Sequence, residues 1–244
     1  MIIKFFFNEY MNMRDDKEKM SANDLIEIPT LISMLPSLKN KTVLDLGCGS
    51  GNNCMKAIEL GASYVLGTDI SQNMINLAKE RNNHKNIDYK LIPMEEINSI
   101  NKKFDVVISS LAIHYVSDYE KLTKDIYELL NNDGLLIFSQ EHPIGTGTIL
   151  NEECKLGKKV ILGDKEYVIV SDYNVNGERK VNWNIEGVIK YHRNFSCLIN
   201  TLISAGFKIE EIIEPIPSEK VLEIKPKYIN QFNVPYFIFI KVRK

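Results

Sequence analysis

Val43-Leu44-Asp45-Leu46-Gly47-Cys48-Gly49-Ser50-Gly51 is the stretch that decides the fold of this chain. Thr42 to Leu46 (TVLDL) is an aliphatic, β-branched run with the signature of a buried strand. Three glycines then alternate over five positions. Cys54, Ala57, Ile58 and Gly61 follow at spacings i, i+3, i+4 and i+7, one face of a helix. A strand that turns through glycine directly into a helix is the opening of a βαβ unit. In an open parallel sheet, ligands bind at the carboxyl ends of the strands near such a turn.

The pattern repeats outward. Tyr64 to Thr68 reads as a second strand ending at Asp69, and Ser71 caps a helix carrying Met74, Leu77 and Ala78. Ile87 to Ile92 and Phe104 to Ser109 read as the third and fourth strands. Asp118 starts a helix with Leu122, Ile126, Leu129 and Leu130 inward, which Asn131 to Gly134 ends. Leu135 to Ser139 is the fifth strand. Strands alternating with amphipathic helices give an α/β fold, a doubly wound, mostly parallel sheet with helices on both faces.

Between Glu141 and Tyr191 the rhythm breaks, over a length too great for a plain loop. Val160 to Leu162, Tyr167 to Val170 and Val181 to Ile185 alternate like short strands, with turns expected at Gly163-Asp164 and Asn176-Gly177. We read a small β-rich insertion after the fifth strand. The α/β pattern resumes at Asn194, which caps a helix with Leu198, Leu202 and Ile203 inward. Phe207 to Ile213 and Tyr236 to Val242 complete a seven-stranded sheet. The expected division is an N-terminal helical segment (1–40), a core (41–140), a substrate-side cap (141–193) and a C-terminal helix with the last two strands (194–244).

Of the 244 residues, 30 are Lys or Arg and 32 Asp or Glu, for a net charge of −2. A chain built to grip a phosphate backbone carries a basic excess, so a nucleic-acid partner is not expected. No run approaches the ~18 apolar residues of a membrane span, and MIIKFFFNEY is broken at Asn8 and Glu9. Cys48, Cys54, Cys154 and Cys197 form no CxxC pair, so no metal is expected. The expectation is a cytoplasmic protein, a monomer or homodimer, with reduced thiols.

The glycines set GxGxG rather than the dinucleotide spacing GxGxxG, whose third glycine would fall at Asn52. Asp45 precedes the first glycine by two residues, where a carboxylate suits a cationic amino-acid ligand better than a pyrophosphate. Asp69 stands 18 residues beyond Gly51 and can accept both hydroxyls of a ribose. A nicotinamide-dependent oxidoreductase, or a module that binds its cofactor without catalysis, stays open on these residues alone.

VLDLGCGSG, the TDIS segment (Thr68 to Ser71), FDVVISSLAIHYV (Phe104 to Val116) and NDGLLIFS (Asn132 to Ser139) together resemble the class I S-adenosylmethionine-dependent methyltransferases. The likeness runs in order from Lys41 to Ser139. NDLIEIPTLISMLPSLKNKTVLDLGCG, HPIG and KYHRNF are similar to a bacterial-type small-molecule subgroup. The resemblance implies S-adenosylmethionine as cofactor, S-adenosylhomocysteine as product, and in-line methyl displacement to a small-molecule acceptor. It also implies that Gly47, Gly49 and Gly51 approach the methionine and ribose portions and that Asp69 holds the ribose. Ile70 and Met74 would lie near the adenine. Pro93-Met94-Glu95 replaces the family's Asp-Ala-Glu-like triplet, leaving Met94 to offer its backbone N–H and Glu95 to frame the edge. Ser110 or Leu111 would line the methionine end. Tyr10 and Arg14 would belong to an N-terminal lid. The Asn/Asp-Pro-Pro-Tyr motif of nucleic-acid amino-methylases is replaced by Ser109-Ser110-Leu111-Ala112.

Three of the four histidines map to the cofactor side: His114 just past the fourth strand, His142 just past the fifth, and His192 at the close of the insertion. They are the candidate general bases for a hydroxyl or ammonium acceptor. His84 lies in a charged surface stretch. Tyr115, Trp183 and Tyr191 are candidate walls of an acceptor pocket, and Arg193 a candidate partner for an acidic acceptor.

Overall fold

The computed structural model describes residues 20–148, 158–163, 165–183 and 185–244. Five parallel strands carry the first half of the chain: β1 (Thr42–Leu46), β2 (Tyr64–Asp69), β3 (Ile87–Leu91), β4 (Phe104–Ser110) and β5 (Leu130–Glu141). The helices are α1 (Ile28–Met34), α2 (Asn52–Glu59), α3 (Gln72–Arg81), α4 (Tyr119–Leu129) and, past β5, the one-turn α5 (Pro143–Thr146). The insertion forms two antiparallel hairpins, β6 (Lys158–Leu162) with β7 (Lys165–Ile169) and β8 (Gly177–Trp183) with β9 (Ile185–His192). Then come α6 (Phe195–Ser204), β10 (Lys208–Ile213), α7 (Glu219–Ile224) and β11 (Phe237–Arg243).

The main sheet has the order β10-β11-β5-β4-β1-β2-β3, with β11 antiparallel to β5 and β10 antiparallel to β11. The chain winds outward from β1 to β3 and returns beside β1 as β4. The reversal therefore lies between β1 and β4, which is where a doubly wound sheet opens a crevice. Alternation along the strands feeds two apolar layers. One face packs Val43, Val106, Ile137 and Phe239 under α1, α2 and α3 through Leu31, Met34, Cys54, Ala57, Ile75 and Ala78. The other packs Leu44, Leu46, Val107, Phe138 and Ile240 under α4 and α6 through Leu122, Ile126, Leu198 and Leu202. The predicted caps are realised at three helices: Ser71 Oγ accepts the Met74 N–H, Asp118 Oδ1 the Lys121 N–H and Asn194 Oδ1 the Cys197 N–H.

Local differences from the sequence reading have simple causes. Asn131 to Gly134 is not a break between helix and strand. Leu130 already pairs with Phe104, and the next aligned pair is Val106 with Leu135, so the four residues bulge out of β5 with Asp133 at φ 61°. Val181 to Ile185 is not one strand: Val181 and Trp183 belong to the end of β8 and Ile185 opens β9. The helix before the core contains a wide turn, Asn23–Glu27, in which the Ile28 N–H reaches back five residues to the Asn23 carbonyl. Pro29, at the next position, has no N–H to give. No helix among the described residues is long and apolar enough to cross a membrane.

Candidate active site

The glycine turn is fastened to the neighbouring strand before any ligand arrives. Gly47 and Cys48 N–H both donate to the Thr68 carbonyl, at 2.8 and 2.9 Å. Gly47 and Gly49 have φ of +72° and +52°, the left-handed region that a side chain disfavours. The two differ in surroundings. A Cβ on Gly47 would stand 2.6 Å from Ala112 Cβ, whereas one on Gly49 would meet nothing within 4 Å. The turn is therefore packed behind Gly47 and open beside Gly49.

Asp69, at the end of β2, faces this opening. Its Oδ2 accepts the Gly49 N–H at 3.0 Å and its Oδ1 the Ser71 N–H at 2.8 Å. Burial pushes its carboxyl up, against the pull of these backbone donors. Asp45 is fully buried. Its Oδ2 accepts the Cys54 thiol at 3.2 Å, and its Oδ1 has no hydrogen-bond partner among the described residues. Burial pushes its carboxyl up to about 7, with Cys54 opposing and the charges of Asp69 and Glu27 adding to the rise.

Around this centre, Ile70 is 63% exposed, an apolar side chain next to Asp69 in the sequence, while Met74 is buried. Met94 lies close to the turn, its Cε 2.9 Å from where a Gly47 Cβ would be, and Glu95 is exposed. Leu111 takes φ of +50°, and its N–H reaches both the carbonyl and the Oγ of Ser139. Ser110 Oγ donates at 2.9 Å to Glu27. Glu27 is a residue that sequence reasoning passed over.

The three histidines differ sharply. His142 Nδ1 accepts the Ile144 N–H at 3.1 Å and its Nε2–H points to Glu214 Oε1 at 2.8 Å. His192 Nε2–H points to the Tyr173 carbonyl at 2.8 Å, and Thr146 Oγ1 stands 2.7 Å from Nδ1. Both rings thus have two committed nitrogens, and through α5 they form one network. His114 stands apart, in the turn Ile113–Tyr115 after β4, its ring tilted against Tyr115. It is buried, and Nδ1 has no partner among the described residues. Burial pushes it down to about 4; Glu141 pulls the other way, and Lys190 and Arg193 push further down.

The insertion reaches this region through β9. Lys190 is buried and ion-paired with Glu141 at the end of β5. Arg193 donates to the Val116 and Ser117 carbonyls and lies over the Tyr119 ring. Tyr115 is partly exposed and Tyr191 half-buried. Tyr10, Arg14 and the side chain of Trp183 lie outside the described residues. Among the described residues no group of His, Cys, Asp or Glu is placed to hold a metal ion.

A central parallel sheet, a glycine turn open on one side and an acidic residue at the next strand end define a nucleoside-cofactor protein of the methyltransferase type. A family profile described as a methyltransferase domain matches residues 44–138. The crystal structure of an S-adenosylmethionine dependent methyltransferase from Mesorhizobium loti is 32% identical, covers 92% of this chain and 98% of that one, and superposes with a TM-score of 0.81. An uncharacterized protein of Haemophilus influenzae is 36% identical over 98% of this chain and 94% of its own length. A ubiquinone biosynthesis O-methyltransferase from Pelagibacter ubique is 36% identical over 104 residues, 42% of each chain. The chain belongs to the class I S-adenosylmethionine-dependent methyltransferases.

Proposed function

We propose that the protein methylates a small-molecule acceptor that binds beneath the insertion, against the ends of β4 and β5. The carrying observation is the fastening of β9 there by the buried Lys190–Glu141 pair and the Arg193 clip, which place the insertion beside His114. A cap of that kind suits a compact acceptor, and the balanced charge of the chain agrees.

The residues at the turn fit the cofactor. The open space beside Gly49 admits a ligand against the backbone, and Asp69 suits the ribose hydroxyls. Asp45 would offer the positive methionine end a buried oxygen that has no partner among the described residues, and Ile70 an apolar surface for the adenine. When bound, S-adenosylmethionine supplies a methyl group already activated on a sulfonium, for in-line displacement, so the protein's part is chiefly alignment. Burial holds His114 neutral at physiological pH, its Nδ1 has no partner among the described residues, and we read it as the histidine that would take a proton from the acceptor. In this reading His142, on Glu214, and His192, on Thr146 and the Tyr173 carbonyl, are structural, and Tyr115 and Tyr191 would wall the acceptor.

The test is the destination of the methyl group. With cofactor labelled on the methyl carbon and a cell extract separated into small-molecule, protein and nucleic-acid fractions, label is expected in the first. Label confined to protein or nucleic acid would overturn the reading.

Asp45 adds a pH signature. Its carboxyl is raised from the ordinary 3.8 to about 7, so without ligand its own contribution to stability is full below pH 4 and is lost as pH rises through 7. A cationic ligand prefers the ionised form. Binding therefore releases a proton below pH 7, and affinity rises with pH. Between pH 5.5 and 7.0, below the titration of the cofactor's own amino group, calorimetry should show affinity for S-adenosylmethionine rising about tenfold. Asp45→Asn should flatten the dependence. A wild-type affinity that is level across this range would remove Asp45 from the site.

A further inference from the structure

Glu27 lies outside the span matched by the family profile, in the helical segment that precedes the core. A carboxylate on an amphipathic helix normally faces water. Glu27 is 1% exposed instead. Its Oε1 accepts Ser110 Oγ at 2.9 Å and Ser139 Oγ at 2.5 Å. Those serines are register partners at the carboxyl ends of β4 and β5. Asp45, Ile108 and Ile137 also align across β1, β4 and β5. Side chains two residues apart share a sheet face. Asp45, Ser110 and Ser139 therefore point to one face, and Glu27 sits over its carboxyl edge.

Two features mark this as a built position. The helix departs from regular geometry at Glu27, the last residue of the wide turn Asn23–Glu27, and single wide turns of this type recur at functional sites. The second feature is Asp45 Oδ1, a fully buried oxygen without a partner among the described residues, in a carboxylate that feels the charge of Glu27. Two buried carboxylates at one strand edge repel each other, and a cation beside Asp45 Oδ1 is attracted by both charges. The cofactor that this family binds is positive at its methionine end, through an α-ammonium and a sulfonium.

We propose that Glu27 is a cofactor-positioning residue, a carboxylate delivered from the N-terminal helix to hold the positively charged methionine end of S-adenosylmethionine at the β4–β5 edge. The proposal rests on the placement of the cofactor along the glycine turn argued above. It adds to that placement an anchor from outside the core. Ser110 and Ser139 orient the carboxylate, and Ser139 also holds the Leu111 N–H, so the anchor and the loop after β4 are set by one network.

The test compares binding of three compounds by calorimetry to the wild type, Glu27→Gln and Asp69→Asn. S-adenosylmethionine carries both cationic groups, S-adenosylhomocysteine only the ammonium, and 5′-methylthioadenosine neither. Glu27→Gln keeps the shape of the side chain and one acceptor oxygen. It should weaken S-adenosylmethionine about tenfold or more, the scale of a charge-assisted hydrogen bond, and leave methylthioadenosine within about twofold. Equal loss for S-adenosylhomocysteine assigns Glu27 to the ammonium; retention of S-adenosylhomocysteine assigns it to the sulfonium. Either supports the proposal. Unchanged binding of all three, or a parallel loss of all three with a lowered unfolding temperature, would overturn it. Asp69→Asn should weaken all three alike. If it does so while Glu27→Gln weakens none, the cofactor site stands and the anchor falls. Failure of the wild type to bind S-adenosylmethionine would sink the underlying placement instead.

Discussion

Replacing Asp69 with alanine is expected to weaken S-adenosylmethionine binding by about 1.5–3 kcal/mol, roughly ten- to more than a hundredfold, the range for hydrogen bonds to a charged group. In the ligand-free protein the carboxylate already accepts N–H groups from Gly49 and Ser71. It is thus oriented before the ribose arrives, and little of its interaction with the hydroxyls is spent on ordering it. The same two bonds tie β2 to the glycine turn, so alanine also frees the Gly49 amide. The fold should tolerate the change. Burial raises the Asp69 carboxyl, so its charge costs stability where it stands, which offsets part of the two lost bonds. The turn also keeps its anchors from Gly47 and Cys48 to the Thr68 carbonyl. Calorimetry and thermal unfolding on the same preparation separate the two effects. Wild-type affinity in the alanine variant would mean that the ribose lies elsewhere.

What could be read in the sequence was what local spacing encodes. The strand, glycine turn and helix around Gly47, the acidic end of β2, and the caps Ser71, Asp118 and Asn194 all depend on residues within a few positions of one another. Glu27 was missed because its partners, Ser110 and Ser139, lie 83 and 112 residues away. A signal existed: an acidic residue next to Ile26 and Ile28, just before Pro29, in a segment otherwise suited to a buried helix face. The histidines show the opposite limit. Loop placement put His114, His142 and His192 in one set of candidates and favoured His142 and His192, and the fold shows which of their ring nitrogens are taken. Glu214, 72 residues from His142, and the Tyr173 carbonyl at His192 occupy ring nitrogens that chain order could not show to be taken. Lys190 likewise reads as a surface lysine in a strand until β9 is seen to deliver it to Glu141. The helical stretch Glu219–Ile224 and Pro226–Phe232 between the last two strands also escaped, because short one- and two-turn helices carry too few repeats to show a period.

The second large effect separates two glycines that a motif treats alike. Gly47→Ala and Gly49→Ala should fail in different ways. Each forces a side chain into left-handed backbone, at about 1–2 kcal/mol. At Gly47 the new methyl would also stand 2.6 Å from Ala112 Cβ and 2.9 Å from Met94 Cε. The methionine can swing aside, but the alanine methyl is fixed to the backbone. Overpacking adds about 1–3 kcal/mol, so the unfolding temperature should fall by about 5–15 °C for a chain of this size. At Gly49 no atom lies within 4 Å of the new methyl, so only the backbone cost applies. The methyl there would instead occupy the space into which we place the cofactor. Gly49→Ala should therefore keep most of its stability and lose cofactor affinity by about tenfold or more, a few methyl contacts' worth of overlap. Thermal unfolding with and without S-adenosylmethionine reads both quantities. The wild type should be stabilised by ligand, Gly47→Ala lowered throughout, and Gly49→Ala lowered less on its own but clearly less stabilised than the wild type at the same ligand concentration. If Gly49→Ala binds like the wild type, the open side of the turn is not where the cofactor lies, and the assignments of Asp69 and Ile70 to its ribose and adenine lose their common frame.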